Sequence, residues 1–125
     1  MKSRTVTVVT TVGNLRQARR IARAVLEQQM AACVHISAIE SLYRWKGKLQ
    51  QGREFQLAVH TSATRAPALQ ALLLALHPYE LPAISVETAL YVHAPYAHWV
   101  VENSALKPQR RTARKTAKVR TAHRP

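Results

Sequence analysis

The sequence predicts a small α+β domain of ferredoxin-like, split βαβ order, an antiparallel sheet with helices on one face and a long central hairpin. Three observations carry that expectation. β-Branched, alternating stretches flank helical ones in the order strand, helix, strand, strand, helix, strand. The helical stretches place apolar residues three and four apart. The extended stretch between them, about Cys33 to Thr61, is far longer than ordinary strands of five or six residues require.

Thr5 to Thr11 is rich in Val and Thr, side chains that suit a pleated surface and lose rotamer freedom in a helix. Gly13-Asn14 ends this strand, and Asn14 is a good N-cap. Leu15, Ala18, Ile21, Ala22, Val25 and Leu26 then form one face of a helix, with Arg16, Arg19, Arg20 and Arg23 on the other. Extended structure returns from Cys33 to Trp45. Gly47 and the polar Gln50-Gln51-Gly52 are expected to interrupt it before Phe55, Leu57 and Val59 resume the alternation. Pro67 stands in the first turn of a second helix with an apolar stripe of Leu69, Leu72, Leu73 and Leu76, and His77-Pro78 stops it. Ile84 to Thr88 reads as a fourth strand, and Pro95 to about Ser104 as a short closing helix.

The 125 residues suit one core, and the basic charge divides them into two parts. Residues 106–125 hold eight of the 19 Lys and Arg and no acid, whereas residues 1–105 hold eleven against all six Glu, a net of +5. The expectation is a folded domain over 1–105 and a disordered basic tail over 106–125. Charge alone would let the tail bind nucleic acid or another polyanion by counterion release, without aromatic side chains for base stacking. The single cysteine, Cys33, excludes an internal disulfide, and no secretory h-region precedes the first strand; both point to the cytoplasm. No apolar run is long enough for membrane insertion.

Enzyme chemistry is poorly supplied. There is no Asp, the six Glu are scattered, and no phosphate loop, nucleophile elbow or helical two-His zinc motif is present. The expectation is a binding and assembling protein. His77, at a helix end beside a proline, is the leading candidate metal ligand, since imidazole suits Cu(II) and Zn(II); a His there also complements the helix dipole. Cys33 offers a soft thiolate for Cu(I), or serves as a small core residue. His35, His93 and His98 lie at spacings that force no convergence and read as surface or interface residues. Tyr43, Trp45 and Trp99 read as packing residues of a subunit interface. Tyr79, Glu80, His77 and His60 read as the rim of a cleft able to take a metal or a small polar ligand. Unpaired edges carrying Leu42, Tyr43, Trp45 and Phe55 call for a partner subunit.

Three segments, Ala31-Ala32-Cys33-Val34, Ser41-Leu42-Tyr43-Arg44-Trp45-Lys46-Gly47-Lys48-Leu49 and Leu76-His77-Pro78-Tyr79-Glu80-Leu81-Pro82, together resemble the CutA divalent-cation tolerance family. The match runs roughly from Thr5 to Asn103, with Tyr96 and Trp99 resembling the family's aromatic close. The resemblance implies a homotrimer with hairpins paired between subunits, a PII-like assembly, and a link to copper and other divalent metals, including zinc. It places His77 in a position associated with metal. Departures from the family are Thr10, where some members carry a thiol linked to copper, His60, where Lys is usual, and Ala83, where Glu is usual. A trimeric scaffold or signalling protein that binds a small ligand is the other reading the resemblance allows.

Overall fold

The computed structural model describes residues 4–105, so the expected basic tail, 106–125, lies outside the described residues. The chain runs β1 (Thr5–Val12), α1 (Leu15–Glu27), β2 (Cys33–Trp45), β3 (Lys48–Ser62), α2 (Ala66–Leu76), β4 (Ile84–Glu87) and α3 (Ala94–Asn103). The four strands form one antiparallel sheet in the order β2-β3-β1-β4, the order expected of the split βαβ arrangement.

Alternation in β1 decides which face is buried. Val6, Val8, Thr10 and Val12 are buried on one side, where Val8 and Val12 with Leu57 and Val59 of β3 meet Ala18, Ile21 and Val25 of α1 and Leu69 and Leu73 of α2. Asn14 caps α1 as expected, its Oδ1 accepting the Gln17 N–H at 2.8 Å. Leu26, in the last turn of α1 and placed on the apolar stripe by its spacing, is instead 39% exposed. That turn closes with Gln29 at φ 57°. The Met30 N–H bonds back to Val25 O at 2.9 Å and the Gln29 N–H to Leu26 O at 3.0 Å, the paired bonds of a helix end that usually employs glycine.

The hairpin departs from expectation at one point: Gln50-Gln51-Gly52 does not interrupt it. β3 stays paired to β2 from Lys48 onward, and the chain reverses only at Lys46-Gly47, both at positive φ, between the partners Trp45 and Lys48. Two residues with positive φ match the twist of the flanking strands, so the turn is tight and the ladder unbroken. β1 covers β3 only from Phe55 to Ser62; beyond that point the hairpin stands clear of the sheet.

α1 and α2 cover the core face as expected. α3 behaves differently, bringing Tyr96 against His60 on the opposite face. Arg65 ties the three helices together, donating through Nε to Ser104 O at 3.0 Å and through a guanidinium nitrogen to Gln29 O at 3.3 Å.

Candidate functional site

The base of the projecting hairpin and the loop after α2 enclose a cleft. Its walls include Thr11, Glu40, Ser41, Tyr43, Trp45, Glu54, Tyr79 and Glu80. Glu54 is its organising group. One carboxylate oxygen accepts from the Ser41 hydroxyl at 2.6 Å and the other from the Tyr79 phenol at 2.6 Å. Burial alone would favour the neutral acid, but these bonds, a third from Thr11 and the nearby His77 outweigh it and hold the carboxyl below its ordinary range. Tyr79 shifts the opposite way: burial, its bond to Glu54 and the carboxylate charge raise its phenol well above the usual tyrosine value. Tyr79 therefore acts as a hydrogen-bond donor over the whole working pH range.

His77 lies behind Tyr79, with ring centroids 4.9 Å apart. Its Nε2–H donates to Thr11 O at 2.9 Å, and its Nδ1 accepts the Tyr79 N–H at 3.1 Å. Both nitrogens are thus committed to the backbone, which requires the neutral ring. Burial depresses its proton affinity, with the Thr11 carbonyl and Glu54 opposing in part. A metal on His77 would have to displace one of these two bonds. Thr10, the position of the thiol in some family members, stands beside it, Oγ1 to Nε2 at 3.1 Å, and offers a hydroxyl in place of sulfur.

The structure separates what the sequence grouped. Tyr79 and Glu80 line the cleft, and Tyr43 and Trp45, read as interface residues, line it too. His60 does not. It sits six residues from Glu54 along β3, about 20 Å away at strand rise, where it pairs across the ladder with Cys33 and with Thr7. His77 and Cys33, both candidate metal ligands, are therefore in different places. His60 instead meets His35, Nε2 to Nδ1 at 3.3 Å, while His35 Nε2 lies 3.5 Å from Cys33 Sγ. Burial and the adjacent His35 push the proton affinity of His60 down. Trp99 stacks on Tyr96, which covers His60, at the margin of this second cluster. Among the described residues, no three His, Cys, Asp or Glu side chains are gathered closely enough to hold a metal outright.

Glu54 was not singled out from sequence, and His35 was read as a surface or interface residue. The signal for Glu54 was the length of the hairpin, whose base had to meet the loop after α2. The signal for His35 was simple alternation, which puts Cys33 and His35 on one face of β2.

A four-stranded antiparallel α+β sheet with a projecting hairpin and a carboxylate-bearing cleft at its base defines a ferredoxin-like fold. Residues 6–103 match the CutA1 divalent ion tolerance protein family, and the chain belongs to that family. Protein CutA of Mus musculus is 38% identical over 91 residues, 72% of this chain and 51% of its own length, so the chain spans about half of that mammalian relative. The divalent-cation tolerance protein CutA of Thermus thermophilus is 37% identical over 98 residues, 78% of this chain and 95% of its own. Among solved structures, CutA of Synechococcus elongatus superposes with a TM-score of 0.79 at 33% identity, covering 83% of this chain and 93% of its own. CutA of Nostoc sp., described as a PII-like protein, gives 0.77 at 28%, covering 82% and 99%.

Proposed function

We propose that this chain is a non-catalytic, homotrimeric cytoplasmic protein of divalent-cation tolerance whose cleft takes up a divalent metal ion, copper or zinc. The observation that carries the reading is the sign of the cleft in an otherwise basic chain. Three of the six Glu, Glu40, Glu54 and Glu80, line it against Arg44 as the one basic lining residue among the described residues. Glu54 is held ionised by three donors, Ser41, Tyr79 and Thr11, which leave about one of its four lone-pair positions free. Carboxylate oxygens are donors to divalent ions, Zn(II) among them.

Assembly is supported by the hairpin. Leu42 and Leu49 on its projecting part are 62% and 71% exposed, and Leu81 beside the cleft is 70% exposed. A ribbon of this length with apolar side chains is a liability on a monomer and an interface in an oligomer. The aromatic walls, Tyr43, Trp45 and Tyr79, favour a second reading in which the cleft binds a small polar ligand, as in a signalling trimer.

Isothermal titration of the purified protein with Zn(II) and Cu(II), beside light scattering for mass, tests both parts. The metal reading expects a trimer with saturable uptake that weakens at least about tenfold in Glu54→Gln. Uptake unchanged in Glu54→Gln would remove the cleft as the metal site and leave the small-ligand reading. A monomer would overturn the assembly.

A further inference from the structure

On the face of the sheet away from α1 and α2, Cys33 and His35 stand two residues apart on β2, the outer strand. They point the same way by strand alternation. Their donor atoms, Sγ and Nε2, are 3.5 Å apart. We propose that Cys33 and His35 form an open, exchangeable site for a tetrahedral thiophilic ion of the Zn(II) class, oriented by His60 and Thr7 and separate from the cleft.

The spacing decides the ion. With a metal–sulfur bond of about 2.3 Å and a metal–nitrogen bond of about 2.0 Å, a 3.5 Å separation gives a ligand angle of about 108°, close to tetrahedral. A linear two-coordinate ion would need the same atoms about 4.3 Å apart. The pair therefore matches Zn(II) and its analogues and not a linearly held Cu(I). Two protein ligands leave two positions of the tetrahedron for water or an incoming donor, the arrangement of an exchangeable site and not of a closed structural one.

The groups behind His35 complete the argument. If Nε2 holds the ion, the ring proton must be on Nδ1, which lies 3.3 Å from His60 Nε2. His60 then accepts there and carries its own proton on Nδ1, 3.2 Å from Thr7 Oγ1, where it donates. One proton arrangement satisfies every contact without moving a heavy atom. It is the outer hydrogen bonding that fixes the tautomer of a metal-bound histidine. Cys33 and His60 are direct ladder partners, so the sheet register itself sets this geometry. His60 is a positioning residue, acting through His35.

The inference shares the metal reading above but places an ion elsewhere, and Co(II) titration of the full chain separates the two. A thiolate bound to Co(II) gives a near-ultraviolet charge-transfer band; oxygen and nitrogen ligands alone do not. The expected result is a band in wild type and in Glu54→Gln, abolished in Cys33→Ser, with affinity reduced at least about tenfold in His35→Gln. His60→Ala keeps the band at the same position while affinity falls roughly 10- to 100-fold, and His60→Gln, which restores an acceptor toward His35, recovers it. Circular dichroism of each variant verifies folding. Co(II) binding without a thiolate band, a band that survives Cys33→Ser, or no binding in wild type would each overturn the proposal.

Discussion

Replacing Tyr79 by Phe deletes one oxygen and keeps the ring, so it isolates the 2.6 Å hydrogen bond to Glu54 Oε2. A bond to a charged acceptor contributes about 1.5–3 kcal/mol when fully sheltered. Both residues are only half-buried and water takes up part of the loss, so the expected cost is about 1 kcal/mol. Ser41 still serves the other oxygen. The pH dependence supplies a second signature. A carboxyl whose folded value is depressed contributes stability that is present above its unfolded value, near 4.5, and lost as pH falls through the folded value. Tyr79→Phe removes one of the bonds that depress it. The gap between wild type and variant should therefore be full at about pH 7 and narrow in acid, as pH falls through the folded carboxyl value and Glu54 becomes protonated in both. Urea unfolding at fixed protein concentration, at neutral and acid pH, measures this directly. No gap at neutral pH, or an equal gap in acid, would refute the assignment of Glu54 as the charged centre of the cleft.

Other outcomes follow from the same geometry. Leu73→Ala opens a cavity between α2 and the sheet and should cost about 2–5 kcal/mol by denaturant unfolding. Gln29→Gly relieves a left-handed conformation at the end of α1 and should stabilise by about 0.5–1 kcal/mol, net of the entropy that glycine adds to the unfolded chain. His60 and His77 both have folded proton affinities below the ordinary histidine value of 6.5. Their contribution is present above that value and lost as pH falls through the folded ones, so stability should decline as pH falls below about 6.5. In a His60→Gln, His77→Gln double variant that decline should be visibly shallower in unfolding curves taken across the range.

Much of the fold is legible because it is local. The Val/Thr alternation of Thr5 to Thr11, the cap at Asn14, the stripe through Ile21 and Val25 and the proline after His77 each act within a few residues, and each element stands where those signals put it. The exceptions are also physical. Gln50-Gln51-Gly52 reads as a break, yet ladder pairing to Tyr43, Leu42 and Ser41 keeps it extended. Leu26 fits the stripe but stands in the last turn of α1, 39% exposed.

By itself the sequence determined the order of elements, the apolar faces, the family and the residue types available for chemistry. Only the tertiary structure decided which of those residues meet. Register is a property of two strands, so His60 came to face Cys33 and Thr7 instead of the cleft in which its neighbourhood had placed it. The loop after α2 folds back on the hairpin, and that gave Tyr79 its partner in Glu54, 25 residues earlier in the chain. His77 kept the position its motif promised, but the backbone of β1 occupies one of its nitrogens and Tyr79 the other. A side chain's type is written in one position; its free lone pairs depend on every group packed around it.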